Sequence, residues 1–335
     1  MKKIAVIGAG SWGTALALVL ADNGHDVVVY DIDAEVVSDI NEHHRNTKFF
    51  AEVALPKNLR AATNLEGILV DAHFALLSVP TKVMRTALTN MKKFLRPNTV
   101  IINASKGIEP KTHKRVSEVV LEVLGEATKF VALSGPSHAE EVIIRELTSV
   151  TCAGNHNDVL LDVQRLFSNE YFRVYRTTDL IGVEIGGSIK NVMALGSGIL
   201  AGLGYGDNAR AILITRSLIE IKRLGVAMGA SSQTFDGLSG LGDLIVTTMS
   251  RHSRNFQAGF KIGSGSNLNE ALDSMTMVVE GVRSCQATYE LSKKLAIDMP
   301  FVDAIYDVVF NRNNPKEVIA KMMQRPIKSE ITDQD

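Results

Sequence analysis

Lys3-Ile4-Ala5-Val6-Ile7-Gly8-Ala9-Gly10-Ser11-Trp12-Gly13-Thr14 is the stretch on which the fold turns. The apolar run after Lys3 stops at Gly8, which reads as a short buried strand. From Thr14 to Asn23 the chain is rich in Ala and Leu and closes at Gly24, a common helix terminator. Between strand and helix, Gly8, Gly10 and Gly13 stand in G-x-G-x-x-G spacing. That spacing is weak alone, but here it follows a strand and opens a helix, the context of a dinucleotide-binding loop. Gly8 permits the tight turn, Gly10 lets the backbone approach a pyrophosphate, and Gly13 lets helix and strand pack closely. The N–H groups at the start of the helix face the anion. A purely structural glycine turn is the alternative, and the next strand argues against it. Val27–Tyr30 is β-branched and leads into Asp31, where a carboxylate accepts hydrogen bonds from ribose hydroxyls and repels a 2′-phosphate. Ile32 and Asp33 follow, with no Arg or Lys until Arg45. NAD is therefore expected over NADP. In the competing reading Asp31 only caps the following helix, a task Asp33 can perform instead.

Outward from this stretch, strands and helices keep alternating. Further strands are predicted at 75–79, 100–104, 130–133, 148–152 and 171–175. Such alternation gives a mostly parallel sheet covered on both faces. From Asp179 the pattern changes to amphipathic helices, at 179–201, 208–224, 254–262 and 282–295. The expected fold is α/β: an N-terminal Rossmann-type, doubly wound, mostly parallel sheet over 1–178 and an all-helical substrate-binding and catalytic domain over 179–330. A polar tail at 331–335 is expected to fray. The bulk composition agrees: 335 residues, 45% hydrophobic and 22% charged, describe an ordinary globular chain of two domains. A net charge of −1 gives no general attraction to nucleic acid or anionic lipid. Cys152 and Cys285 lie far apart, outside any C-x-x-C spacing, which fits a reducing compartment. Met1-Lys2-Lys3 with four apolar residues is too short for a signal peptide, and no apolar run nears the ~20 residues of a membrane span. A cytoplasmic protein is expected. His43, His44 and His138 sit in no metal-ligand spacing, so no metal is expected.

In sheets of this kind, chemistry gathers beyond the carboxyl ends of the strands. Ser105-Lys106-Gly107 and Ser134-Gly135-Pro136-Ser137-His138-Ala139 follow two of the predicted strands. A third cluster, Gly186-Gly187-Ser188-Ile189-Lys190-Asn191, lies inside a predicted helix. Lys190 stands there among Ile185, Ile189, Val192, Met193 and Leu195. A lysine in such company either snorkels to water or is held for a purpose. Small residues one turn earlier would let a substrate or cofactor reach it. Reducing a ketone needs a proton donor, and an ammonium group fits that role. The residues themselves leave a catalytic and a surface lysine both open.

Gly187-Ser188-Ile189-Lys190-Asn191-Val192-Met193-Ala194-Leu195-Gly196-Ser197-Gly198-Ile199, continued by Gly204-Tyr205-Gly206-Asp207-Asn208, resembles the signature of bacterial NAD(P)-dependent glycerol-3-phosphate dehydrogenase. So do the segments 8–15, 105–107, 135–137, 240–244, 253–255 and 279–281, in order along nearly the whole chain. The resemblance implies interconversion of dihydroxyacetone phosphate and sn-glycerol 3-phosphate, with Lys190 as proton donor and acceptor. It implies substrate contacts at Lys106, Gly135, Ser137, Asp243, Ser253, Arg254 and Asn255. It implies cofactor contacts at Ser11, Trp12, Phe49, Lys106, Ala139, Arg254, Val278 and Glu280, beside the glycines and Asp31. It further suggests a homodimer and a supply role for phospholipid synthesis. Ser253 can cap the helix after it, and with Arg254 its N–H groups make a phosphate seat; a solvated Arg254 and an Asp243 that merely caps a helix are the plainer readings. The chain departs from the family at Ala201, where an acid is common, and at His138, where an aromatic is common. With the cofactor in one domain and Lys190 in the other, reaction is expected in a cleft between them. A dehydrogenase of a hydroxy acid or ketopantoate-like substrate, and an NAD sensor without turnover, are the competing functions.

Overall fold

A computed structural model describes residues 1–251, 253–275, 279–327, 329 and 330. The predicted tail at 331–335 and the predicted cofactor contact Val278 lie outside the described residues. The chain divides into two compact units, one of residues 1–106 and 114–180, the other of residues 107–113 and 181–335.

The first unit holds eight strands: β1 (Lys3–Ile7), β2 (Asp26–Tyr30), β3 (Leu59–Ala62), β4 (Phe74–Leu77), β5 (Val100–Asn103), β6 (Phe130–Ser134), β7 (Thr148–Gly154) and β8 (Phe172–Thr177). They form one sheet in the order β3-β2-β1-β4-β5-β6-β7-β8. All neighbours run parallel except β6 and β7. Residues of β1, β4, β5 and β6 are buried almost throughout, as expected of strands covered on both faces. The helices are α1 (Ser11–Asp22), α2 (Ala34–Ser38), α3 (Leu65–Leu69), α4 (Thr81–Lys92), α5 (Val116–Leu124), α6 (Ala139–Val142) and α7 (Asn157–Phe167). The order reverses between β2-β1 and β1-β4, so the loop after β1 opens at a topological switch point. Helix α1 begins at Ser11, three residues before the predicted start, because the glycine loop runs straight into it. It ends as predicted: Gly24 takes a φ of +74°, and His25 N–H donates to the Leu20 carbonyl at 3.2 Å.

The sequence reading missed β3. Leu59 and Ala61 are buried while Arg60 and Ala62 are not, a two-residue alternation too short to stand out. Only pairing with β2 makes Leu-Arg-Ala-Ala a strand.

In the second unit every regular element among the described residues is helical: α8 (Leu180–Gly202), α9 (Asp207–Ala227), α10 (Asp243–Met249), α11 (Arg254–Gly263), α12 (Leu268–Asp273), α13 (Glu280–Lys294), α14 (Pro300–Val309) and α15 (Pro315–Met323), with short 3-10 and π turns before α10. Helix α8 is buried without interruption from Gly182 to Ile199. A helix buried on all sides, with few polar side chains, belongs at the centre of its unit. It meets α11 backbone to backbone: a Cβ on Gly198 would lie 2.0 Å from the Phe256 carbonyl oxygen, and one on Gly259 would lie 2.0 Å from that of Leu195. Gly186 is likewise demanded by packing, since its Cβ would lie 2.5 Å from the Ser239 oxygen. This corrects the expectation that Gly186 is small to admit a ligand. The segment 107–113 joins this unit through Ile108, which is buried in its core, and through His113 Nε2, 2.7 Å from Glu290 Oε2. No described helix is long and apolar enough to cross a membrane.

Candidate active site

The glycine loop is held from three sides. Gly8 has a φ of +106°, and a Cβ there would meet the Ser78 oxygen at 2.7 Å; one on Gly13 would meet the Gly8 oxygen at 2.0 Å. Both glycines are required by the protein itself. Gly10 is different: its Cβ would meet nothing within 4 Å. Its bareness serves no packing need and leaves the backbone open to a pyrophosphate beside the start of the twelve-residue α1. Asp31 accepts from Ala9 N–H at 2.7 Å and from Asp33 N–H at 3.0 Å, so it ties the loop to the end of β2. A carboxylate has about four acceptor positions, which leaves capacity for a ribose hydroxyl. The cap of α2 is Asp33, which accepts from Glu35 N–H at 3.0 Å. That resolves the alternative left open for Asp31. These features fit a bound dinucleotide.

Trp12 stands in the first turn of α1 and donates from Nε1 to the Ala104 carbonyl at 3.2 Å, which joins the glycine loop to the segment carrying Lys106. Ser11 is buried beside it, and Phe49 packs half-buried against the same core. Lys106 Nζ donates to the Gly135 carbonyl at 2.9 Å, and Ser137 Oγ donates to that same oxygen at 2.9 Å. Lys106, Gly135 and Ser137 are thereby drawn together beyond β5 and β6. Gly135 is required there, since a Cβ would lie 2.8 Å from Val150 Cα. Ala139 is buried at the start of α6, immediately after His138.

The second unit gathers the remaining predicted residues. Lys190 on α8 is 6% exposed and Asp243 on α10 is fully buried. Lys190 Nζ forms an ion pair with Asp243 Oδ1 and donates to Thr247 Oγ1 at 2.8 Å. Lys190 is therefore no snorkelling surface lysine. Thr247 in turn donates to the Asp243 carbonyl at 2.6 Å. Sequence reasoning missed Thr247, although the spacing was a usable signal: residues four apart share a helix face, so whatever meets Asp243 also passes Thr247. Ser253 caps α11, its Oγ accepting from Phe256 N–H at 3.3 Å, and Arg254 is the first residue of that helix. The Asn255 amide is committed inward: Oδ1 accepts from Gly281 N–H at 2.8 Å and Nδ2 donates to Asn191 Oδ1 at 3.0 Å. This knot links the residues that follow Lys190, Arg254 and Glu280. Glu280 opens α13, 3.9 Å from Arg283 Nη1. Among the described residues no three or more His, Cys, Asp or Glu side chains are grouped to hold a metal ion.

A doubly wound sheet with an open glycine loop and an acid after β2, in one chain with a buried lysine–carboxylate pair, defines a nicotinamide-dinucleotide-dependent oxidoreductase. Residues 3–160 match the N-terminal part of NAD-dependent glycerol-3-phosphate dehydrogenase, and residues 179–320 match its C-terminal part. The chain is 52% identical, over 99% of its length and 98% of the relative's, to glycerol-3-phosphate dehydrogenase [NAD(P)+] of Bacillus thuringiensis (strain Al Hakam). The crystal structure of glycerol-3-phosphate dehydrogenase from Coxiella burnetii superposes with a TM-score of 0.93 at 34% identity, covering 97% of this chain and 99% of that one. That of Saccharomyces cerevisiae superposes with a TM-score of 0.84 at 27% identity, covering 97% and 99%. The chain belongs to the NAD-dependent glycerol-3-phosphate dehydrogenase family. It is an NAD(P)-dependent oxidoreductase acting on a small phosphorylated substrate, and oxidation of the secondary alcohol of glycerol 3-phosphate yields dihydroxyacetone phosphate.

Proposed function

We propose that Lys190 gives a proton to the C2 oxygen of dihydroxyacetone phosphate and takes it back in the reverse direction. The observation that supports this is its burial beside Asp243 and Thr247: a charge withdrawn from water and aimed by two partners is held at a cost that a surface lysine does not carry. The nicotinamide ring supplies or accepts the hydride when the cofactor is bound. Asp243 balances the ammonium charge, and Thr247 fixes its direction.

Ser253 and Arg254 at the start of α11 receive the substrate phosphate, through backbone N–H groups and the guanidinium. Asn255 joins them through its backbone N–H, because its amide is spent on Gly281 and Asn191. Lys106, with Gly135 and Ser137, contacts the substrate, and Lys106 also touches the cofactor. Ser11, Trp12, Phe49 and Ala139 line the dinucleotide beside the glycine loop and Asp31, and the family resemblance adds Arg254 and Glu280 as further cofactor contacts. In this reading 1–178 serves the cofactor and 179–330 the substrate and the proton. A homodimer in the cytoplasm that supplies glycerol 3-phosphate for phospholipid synthesis completes it, supported by the family resemblance.

The test follows reduced-nicotinamide absorbance with dihydroxyacetone phosphate, for the wild type and Lys190→Ala. Loss of a general acid lowers kcat by about 10²–10⁴-fold. NADH binding, followed separately, reports that the variant is folded. Near-normal kcat in a folded Lys190→Ala removes the proton-transfer role.

A further inference from the structure

Asp33, just past the end of β2, faces a cation from fifteen residues further along the chain. Asp33 caps α2 with one oxygen and receives the Lys48 ammonium on the other, Nζ to Oδ2 at 2.7 Å. Lys48 sits between two pinned neighbours. Asn46, which is buried, donates from Nδ2 to the Ala9 carbonyl at 2.8 Å and to Thr14 Oγ1 at 2.9 Å, so it is fastened to the glycine loop itself. Thr47 donates from N–H and Oγ1 to Asp39 Oδ2 at 2.7 and 2.8 Å. Phe49 N–H and Phe50 N–H both return to the Asn46 carbonyl. The backbone of Lys48 is thus set relative to both the glycine loop and the end of β2, while its side chain remains 59% exposed.

The adenosine ribose of a Rossmann-bound dinucleotide lies against the acid after the second strand. Asp31 fills that position, and neither Ile32 nor Asp33 beside it carries a positive charge. Two carboxylates alone would reject a 2′-phosphate. We propose that Lys48 is the specificity residue for the cofactor: it binds the 2′-phosphate of NADP, and Asp33, which shares it, sets how far NADP is tolerated beside NAD. An ammonium has three donors and spends one on Asp33, so it reaches a phosphate without leaving its partner. The proposal rests on the dinucleotide reading of the glycine loop.

Binding is the readout, independent of the substrate. NADH and NADPH are titrated against the full chain by nicotinamide fluorescence, in the wild type, Lys48→Met and Asp33→Asn, at low and high salt. Lys48→Met keeps the aliphatic stem and is expected to lower NADPH affinity relative to NADH by about tenfold, the loss of one charge-assisted hydrogen bond. Asp33→Asn keeps a helix cap and releases the lysine, so the ratio shifts toward NADPH. The salt dependence of NADPH binding flattens in Lys48→Met. A ratio that stays within about twofold in Lys48→Met overturns the proposal, and so does an equal loss for both cofactors, which would mark a structural lysine. A wild type that binds neither cofactor overturns the dinucleotide reading and the proposal with it.

Discussion

Lys190 and Asp243 form their ion pair almost out of reach of water, at 6% and 0% exposure. Such a pair contributes little net stability, but removing one member leaves the other uncompensated at a cost of about 3–5 kcal/mol. Binding measurements must therefore accompany every kinetic result at these positions. Asp31 also carries two duties. In the proposed reading its charge disfavours a 2′-phosphate, while its oxygens anchor Ala9 N–H and Asp33 N–H. Asp31→Ala is therefore expected to weaken NADH as well as to shift the NADPH-to-NADH ratio, because the glycine loop loses its tether. Separate KM values for the two cofactors decide this: a relaxed ratio with NADH unchanged would show that the tether is dispensable.

At the level of elements, α14 is seated by a residue of α9. Glu220 is 2% exposed and accepts from Phe301 N–H at 2.7 Å and Val302 N–H at 3.3 Å, in the first turn of α14. Burial pushes its carboxyl up to about 8, against the opposing effect of the two N–H groups, and Asp303 and Asp298 add to the rise. The folded chain then holds a proton that the unfolded chain has released. Stability from this group is full below the unfolded value of about 4.5 and is lost as pH rises through about 8. Glu220→Gln loses one of the two N–H contacts at every pH, because its NH2 cannot accept, but it is expected to flatten that loss: between pH 6 and 9 its unfolding free energy falls less than the wild type's, by an amount on the order of a few kcal/mol, and its Tm profile is correspondingly flatter. Parallel Tm profiles for the two proteins would show that Glu220 does not carry this dependence. The α8–α11 crossing has a different weakness. Alanine at Gly259 would place Cβ 2.0 Å from the Leu195 oxygen and 2.9 Å from its carbonyl carbon. Backbone cannot yield there as a side-chain tip can. Gly259→Ala is expected to destabilise by about 1–3 kcal/mol or more, read as a lower midpoint in urea, and an unchanged midpoint would mean that the helices separate freely.

Across the whole molecule, local and tertiary information divide cleanly. Sequence alone determined the strand–glycine loop–helix at 3–22, the alternation that builds a parallel sheet, and the change to helices from about Asp179, because each depends on the period of apolar residues and on glycines whose spacing is itself the signal. It also determined Lys190, Lys106, Gly135 and Ser253 as candidates, through their company and through the family signature. Tertiary structure decided what pairing alone can create. β3 is a strand only because β2 lies beside it. Thr247 matters only because α10 delivers it to Lys190, and the Asn255 amide faces Gly281 rather than outward only because three helix segments converge there. Lys48 makes the point for charge. Counting along the chain from Asp31 finds no nearby cation, yet a segment pinned by Asn46 and Asp39 returns one to within 2.7 Å of Asp33. Coulombic and hydrogen-bond partners are set by distance in space, and periodicity carries no record of that distance once the chain turns back on itself.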